Sequence, residues 1–136
     1  MATIYIEGNP YEVEDGQNLS LGDKTLQFIY TPWVHWPETM MTYDASQMIL
    51  FSCDGFGGYG ALIGTIFDDD CKNLSFYEKE SLRYYVNIVA KFSKPTLNAI
   101  NKLSGIEVKM NLRKETGAGG IRIVRWVVGH SALCHH

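Results

Sequence analysis

Two strand-like segments joined by a short turn constrain the fold of this 136-residue chain more than any other feature. Residues 39–43 and 47–52 are rich in apolar, aromatic and β-branched side chains, and Asp44-Ala45-Ser46 between them is typical of a turn. The pattern predicts a β-hairpin. Its second strand is almost entirely apolar, which predicts that this strand is buried on both faces of a sheet.

His35 and Asp54 lie just outside the two ends of this hairpin. An antiparallel hairpin brings its open ends together, so the two side chains are expected within a few ångströms of each other. An imidazole and a carboxylate are suitable ligands for iron, zinc or manganese. The pair alone completes no site, because structural sites typically take four ligands and catalytic sites at least three. A hydrogen-bonded structural pair is the alternative interpretation.

Residues before the hairpin predict two more strands. Residues 3–6 are β-branched and aromatic and indicate a short edge strand, whereas residues 11–24 are polar and rich in turn residues around a short piece at 19–21. Residues 25–31 largely alternate between apolar and polar side chains, which predicts a strand with one buried face. Pro32 and Pro37 exclude a regular helix in the segment that contains His35.

Two helices are predicted after the hairpin. Ser75-Phe-Tyr-Glu78 has the pattern of a capping box, and an apolar stripe at helical spacing follows it to about Phe92. Ser93-Lys94-Pro95 is predicted to end this helix and to begin a second one, which ends at Gly105. The side chains expected to face inward are Leu82, Tyr85, Val86, Val89, Leu97, Ile100 and Leu103. Tyr84 and its neighbour Tyr85 cannot both face inward.

The character of the chain changes near Met110. Residues 106–110 are a candidate strand, residues 111–120 are polar and end in Gly-Ala-Gly-Gly, and residues 121–128 are again strand-like.

Composition limits the classes of function. Residues 1–70 carry a formal charge of −10 and residues 71–136 a charge of +7, and the two are expected to neutralise each other in the fold. A nucleic-acid surface is not favoured, since no run of lysine and arginine is interleaved with aromatic residues. No apolar stretch approaches the roughly 18 residues of a membrane span. Three cysteines without a CxxC motif, and no signal peptide, predict a soluble cytoplasmic protein.

Three further motifs are read as structural. The glycine-rich loop 55–64 lacks the Lys-Ser/Thr of a phosphate-binding loop and is expected to let the backbone turn tightly beside Asp54. Residues 68–70 are three aspartates without the spacing of a calcium loop. Cys53 has no identifiable histidine partner and is expected to be a buried thiol at a strand end.

The run from Gly22 to Met40, with His35-Trp36-Pro37 in it, followed by Leu50-Phe-Ser-Cys-Asp54, resembles flavodiiron proteins (A-type flavoproteins). The resemblance is to their metallo-β-lactamase-like domain and extends over roughly residues 15–110. It implies an α/β fold, half of an αββα sandwich, with a mixed and mostly antiparallel sheet and two helices on one face. The domains are expected to be residues 1–110, a partial domain of this type, and residues 111–136, an unmatched tail.

The resemblance also implies a chemistry. In that family such a domain carries a di-iron centre, and a flavodoxin-like partner domain carries FMN; together they reduce oxygen to water or nitric oxide to nitrous oxide. By resemblance, His35 would be a terminal iron ligand and Asp54 the carboxylate that bridges both irons. Tyr84 would line the substrate pocket.

The chain departs from the family pattern at several points. The first ligand cluster of the family, His-x-Glu-x-Asp, lies upstream of the matched region, and the flavodoxin-like domain has no counterpart here. The last histidine ligand is expected soon after Met110, where residues 111–120 replace it, and His130 is a poor substitute. We therefore expect a truncated relative with an incomplete metal site and little activity alone, which leaves open whether the chain is an enzyme. The alternative is a non-enzymatic fragment that binds at most adventitious metal. Half a sandwich leaves an apolar sheet face open, which predicts a homodimer.

Overall fold

The computed structural model describes residues 2–59, 67, 70, 74–114 and 121–125. Eight strands and two α-helices are present in this part of the chain. In order they are β1 (Ala2–Ile6), β2 (Asn9–Val13), β3 (Asn18–Ser20), β4 (Thr25–Tyr30), β5 (Met40–Asp44), β6 (Ile49–Cys53), α1 (Leu74–Tyr84), α2 (Ser93–Leu103), β7 (Met110–Lys114) and β8 (Ile121–Arg125). No helix among these residues is long and apolar enough to cross a membrane.

Six of the strands form one mixed sheet in the order β3-β4-β5-β6-β7-β8. Strands β6 and β7 are parallel and the other neighbours are antiparallel. This confirms the predicted mixed sheet, the β5–β6 hairpin and the strand at residues 25–31. Strand β1 confirms the prediction for residues 3–6, but it pairs in a separate two-stranded sheet with β2, which the sequence had not predicted.

One face of the six-stranded sheet carries the core. Ile29, Met41, Tyr43 and Leu50 form a buried cluster, and three partly buried side chains that pack against it come from the end of α2 and the segment after it: Leu103, Ile106 and Val108. The prediction that β6 is buried on both faces is wrong, because Phe51 on the opposite face is 44% exposed. The prediction of a buried Cys53 thiol is wrong for the same reason: this residue is exposed.

The two predicted helices are joined. A π-helical turn (Tyr85–Val89) and a 3₁₀ turn (Ala90–Phe92) connect α1 to α2 without an intervening loop. The backbone leaves helical geometry at Phe92, where φ is −110° and ψ is 31°, and α2 begins at Ser93, as predicted. Pro95 fits because it lies in the first turn of α2, where a backbone N–H is not needed for an α-helical hydrogen bond. At the other end, α1 begins at Leu74, one residue before the predicted capping serine.

The predicted inward faces of both helices are largely wrong. The exposed side chains include Leu82, Tyr85, Val86, Leu97 and Ile100. Val89 is buried and Leu103 packs against the core cluster, as predicted. Tyr77, Tyr84 and Ala99 are buried in place of the others, so Tyr84 rather than Tyr85 faces inward. Residues 77 and 84 are seven apart and share one side of a helix just as well as the apolar stripe does. Tyr84 contacts the Asp54 carbonyl and the His35 ring, and these contacts determine which of the two helix faces is buried.

Strand β7 occupies residues that were predicted to be polar tail. It begins at Met110 and pairs with β6. The strand predicted at residues 106–110 was to end at Met110, and residues 106–109 form no strand. Asn111 is fully buried within it. Strand β8 confirms the strand-like pattern after residue 120. Residues 126–136, with His130 and the terminal histidines, lie outside the described residues, as do residues 60–66, 68 and 69.

Asp44 stabilises the turn of the β5–β6 hairpin. Its Oδ1 accepts hydrogen bonds from the Ser46 hydroxyl at 2.5 Å, the Ser46 N–H at 2.9 Å and the Gln47 N–H at 3.3 Å, and Lys24 Nζ lies 3.8 Å from its Oδ2. The hydrogen bond from the Ser46 hydroxyl is the largest influence that lowers the pKa of Asp44 below its ordinary value.

We expect this carboxylate to make stability depend on acidity. A pKa that is lower in the folded chain stabilises the fold above the unfolded-state value of about 3.9, and this contribution disappears as the pH falls through the folded-state pKa. Urea denaturation of wild type and Asp44→Asn at a series of acidic pH values measures the effect. The wild type should lose stability more steeply below about pH 4 than the variant does. Parallel curves for the two proteins would contradict the assignment.

Candidate metal centre

His35 lies in a loop that is held at both ends by β4 and β5. The N–H of Thr31 donates to the Thr39 carbonyl at 3.0 Å, and inside the loop the N–H of Trp33 donates to the Trp36 carbonyl at 2.7 Å. The Thr39 hydroxyl accepts from the Trp36 N–H at 3.0 Å. These bonds satisfy a backbone that the two prolines prevent from forming helix, so the irregular loop predicted around His35 is an ordered structure.

Asp54 follows the last residue of β6 in a tight turn. The Gly55 N–H donates to the Ser52 carbonyl at 2.9 Å, and the buried Ser52 hydroxyl donates to the Gly55 carbonyl at 3.0 Å. A side chain at position 55 would meet Met41, since an ideal Cβ would lie 2.6 Å from the Met41 Cε. The glycine therefore permits the close turn that was predicted beside Asp54.

The fold brings the two predicted ligands together. His35 Nε2 lies 3.7 Å from Asp54 Oδ2, and the two side chains are 20% and 23% exposed. This confirms the predicted juxtaposition at the open end of the hairpin. Two donors bound to one ion at about 2.1 Å each are separated by roughly 3 to 3.6 Å, so the observed spacing lies just beyond that of two neighbouring corners of a metal site.

Tyr84 forms one wall of the site. Its side chain is 2% exposed, its hydroxyl donates to the Asp54 carbonyl at 3.4 Å, and its ring meets the His35 ring edge-on with centroids 6.3 Å apart. Gly57 makes room for it, because a Cβ there would lie 3.0 Å from the tyrosine ring and 2.9 Å from the Asp54 carbonyl oxygen. The ring of Tyr59 also packs edge-on against Tyr84, with centroids 5.4 Å apart.

Sequence reasoning missed the parts played by Gly57 and Tyr59. The glycine-rich composition of the loop signalled a close approach of its backbone to something, but it did not show that this neighbour is Tyr84. The position of Tyr59 in the sequence gives no indication that its ring packs against Tyr84.

The π-helical and 3₁₀ turns that join α1 to α2 also contact the loop that contains His35. The Ala90 N–H donates to the Tyr85 carbonyl, the i to i−5 bond of a π-helix, and the Asn87 side-chain amide donates to the Arg83 carbonyl at 2.7 Å. Phe92, at the end of the 3₁₀ turn, stacks on Trp33 with ring centroids 5.6 Å apart. Turns of the π type occur frequently at functional sites.

Three residues close to the pair have left-handed backbone conformations. Trp33, Cys53 and Phe56 have φ values of 67°, 54° and 60°. Such conformations cost on the order of 1–3 kcal/mol each in non-glycine residues, and they cluster at active sites and ligand-binding clamps. The strain at both ends of the hairpin is an independent reason to regard this place as a functional site.

The donor set among the described residues is small. Within residues 2–59, 67, 70, 74–114 and 121–125, no group of three or more histidine, cysteine, aspartate or glutamate side chains is placed to hold a metal ion. His35 and Asp54 fit part of a metal centre and do not by themselves fit a di-iron one.

The mixed sheet, the joined helices and the His35–Asp54 pair at the end of the hairpin together define a class of protein. The profile of the ODP family beta lactamase matches residues 5–110, and the chain belongs to this family. Over most of its length it is a partial metallo-β-lactamase-like domain homologous to flavodiiron proteins and flavorubredoxins.

Particular relatives support this relationship. The anaerobic nitric oxide reductase flavorubredoxin of Enterobacter sp. (strain 638) is 34% identical over 107 residues, which is 78% of this chain and 22% of that protein. The type A flavoprotein fprA of Rhodobacter capsulatus is 39% identical over 82 residues, 58% of this chain and 19% of that protein.

Solved structures agree with the sequence comparisons. The flavodiiron protein from Giardia intestinalis superposes with a TM-score of 0.73 at 34% identity, covering 84% of this chain and 26% of that one. Rubredoxin oxygen:oxidoreductase from Desulfovibrio gigas gives 0.73 at 31% identity, with 83% and 27% covered. The chain thus spans about a quarter or less of the length of these relatives.

Proposed function

We propose that this chain is the second half of the metal-binding domain of a flavodiiron-type oxidoreductase. The observation that carries the proposal is the 3.7 Å approach of His35 Nε2 and Asp54 Oδ2, at a place where the backbone is strained and a buried tyrosine closes the site. Residues 1–110 make up this half of an αββα sandwich, with both helices on one face of the sheet. Residues 111–136 are a tail whose described strands extend the same sheet.

Each residue has a distinct part in the proposed site. His35 would serve as a terminal ligand and Asp54 as the bridging carboxylate of a di-iron centre, and the hydrogen bonds of the two flanking turns order the backbone that carries them. Tyr84 lines the pocket beside them and keeps water from one side of the pair. Bound iron would supply the redox chemistry with oxygen or nitric oxide, and FMN would belong to a separate flavodoxin-like domain. The remaining ligands come from outside the described residues, and we place the protein in the cytoplasm.

The alternative is a non-enzymatic fragment that self-associates. It is favoured by the small donor set of the described residues and by the open face of the sheet, where Phe51 is exposed. An exposed apolar face of this kind is commonly covered by another protein surface, and a second copy of the chain is the occupant we propose. In this case His35 and Asp54 bind at most a single adventitious ion.

Anaerobic iron loading separates the two functions. We expect the wild-type chain to retain stoichiometric iron after desalting, measured by elemental analysis and by the ligand-field absorption of the bound metal. His35→Ala and Asp54→Asn should each lose at least about tenfold in iron affinity, because each removes a direct ligand. Asp23→Asn is the matched control, since it removes an exposed carboxylate elsewhere on the chain. Wild type without stoichiometric iron, or equal retention in all four proteins, would establish the non-enzymatic alternative.

A further inference from the structure

The β1–β2 hairpin has less support from its neighbours than the strands of the six-stranded sheet. Its two strands pair only with each other among the described residues, from Ala2 opposite Val13 to Ile6 opposite Asn9. Most of its side chains are exposed, and Tyr5 is 73% exposed. A two-stranded hairpin is marginally stable at best in water, so pairing with a further strand would stabilise it.

Tyr30 fixes where the hairpin lies. Its hydroxyl donates to the Val13 carbonyl and accepts from the Ala2 N–H, both at the open end of the hairpin. Tyr30 follows Ile29 in β4, and neighbouring side chains in a strand point to opposite faces. The hairpin therefore begins a second layer on the face of the sheet opposite the core cluster.

This second layer is incomplete. The strand register places Phe28, Thr42, Phe51 and Leu112 in one row across that face. Phe28, beside Tyr30 in β4, is 2% exposed, whereas Phe51 further along the row is 44% exposed. Burial along this row is therefore uneven, with Phe28 covered and Phe51 exposed.

The two outer edges of the hairpin differ in chemistry. Strand β1 reads Ala-Thr-Ile-Tyr-Ile, with no charge and no proline, whereas β2 contains Pro10 and Glu12. Charged side chains and proline are the means by which proteins prevent edge strands from pairing, and a long uncharged edge is a site for pairing with another chain. The β1 edge is open by this criterion, and the β2 edge is blocked.

We propose that β1 pairs with β1 of a second copy of this chain, antiparallel about a twofold axis at Ile4. Each Ile4 then lies opposite its own copy, Thr3 lies opposite Tyr5 and Ala2 lies opposite Ile6, so every facing pair is uncharged. A twofold contact of this kind is closed and needs only one self-complementary edge. The result is a four-stranded sheet on the side of the molecule that carries Phe51. This inference rests on the self-association proposed above and names the surface that mediates it.

Light scattering after size-exclusion chromatography, over a dilution series in the micromolar range, tests the inference. The wild type should be a dimer, and its β1 amides should exchange with deuterium more slowly at high than at low protein concentration. Ile4→Lys places two ammonium groups opposite each other at the axis, so dimerisation should weaken at least about tenfold. Tyr11→Lys is the matched control, because residue 11 is the cross-strand partner of Ile4 and adds the same charge at the blocked edge.

A second matched pair protects the test against a variant that fails to fold. Thr3→Lys should weaken the dimer, and Glu12→Lys on the partner strand should leave it intact, with circular dichroism used to confirm folding of all four variants. A dimer that survives both β1 variants, or that weakens equally in the β2 controls, would overturn edge pairing while self-association stands. A wild-type monomer at these concentrations would contradict both self-association and β1 pairing. The proposed metal site would be unaffected, because iron loading tests it separately.

Discussion

Replacing Met41 by alanine is expected to lower the free energy of unfolding by about 2–5 kcal/mol, the range measured for buried large-to-alanine changes. Met41 is 1% exposed in the core cluster with Ile29, Tyr43 and Leu50, and its methyl group packs against Gly55 in the turn after Asp54. Alanine would leave a cavity that these neighbours fill only in part. Because domains of this kind are stable by roughly 5–15 kcal/mol, the loss is a large fraction of the whole.

Urea denaturation followed by far-ultraviolet circular dichroism measures this loss. Met40→Ala is the matched control, since Met40 is adjacent in β5, points to the opposite face and is only partly buried. Its replacement should change stability by no more than about 1 kcal/mol. Similar losses for the two variants would mean that the core lies elsewhere than on the Met41 face.

Replacing Asn111 by valine is expected to raise the free energy of unfolding by about 1–3 kcal/mol, the usual penalty of a buried polar group without a partner. Asn111 is fully buried in β7, and neither its amide nitrogen nor its amide oxygen has a hydrogen-bond partner among the residues that the structure describes. Valine is close in volume, suits a strand and adds no polar atom. Removing the amide therefore eliminates the free-energy cost of taking this polar group out of water without a hydrogen bond in return.

The same denaturation assay tests this gain. Asn18→Val makes the same chemical change at an exposed position of β3 and should shift stability by no more than about 0.5 kcal/mol. A destabilised Asn111→Val variant, or one equal to wild type, would show that the amide is satisfied in solution.

The turn patterns and alternating residues were enough to predict the local structure around the site. Asp44-Ala45-Ser46 between two apolar segments predicted the hairpin, and the hairpin alone predicted that His35 and Asp54 would meet. Both features depend on short-range geometry, since a tight antiparallel turn leaves little freedom at its open end. Their role as metal ligands is still a prediction.

Burial could not be predicted in the same way. Phe51 and Cys53 belong to a strand whose apolar composition predicts burial on both faces, yet both residues are exposed. The helices show the same effect: Val86 belongs to an apolar stripe but is exposed, while Tyr84 is buried against the Asp54 turn. Which of two equally periodic faces is buried depends on what lies against it.

The sequence by itself determined the strand at residues 25–31, the β5–β6 hairpin with its turn, the helical segment and the meeting of an imidazole with a carboxylate, because each depends on neighbouring residues along the chain. Only the tertiary structure decided that Tyr84 closes the site, that Gly57 makes room for it and that Asn111 is buried. Those facts depend on contacts between segments far apart in sequence. Apolarity and periodicity describe a segment, but burial is a property of the surfaces that pack against it.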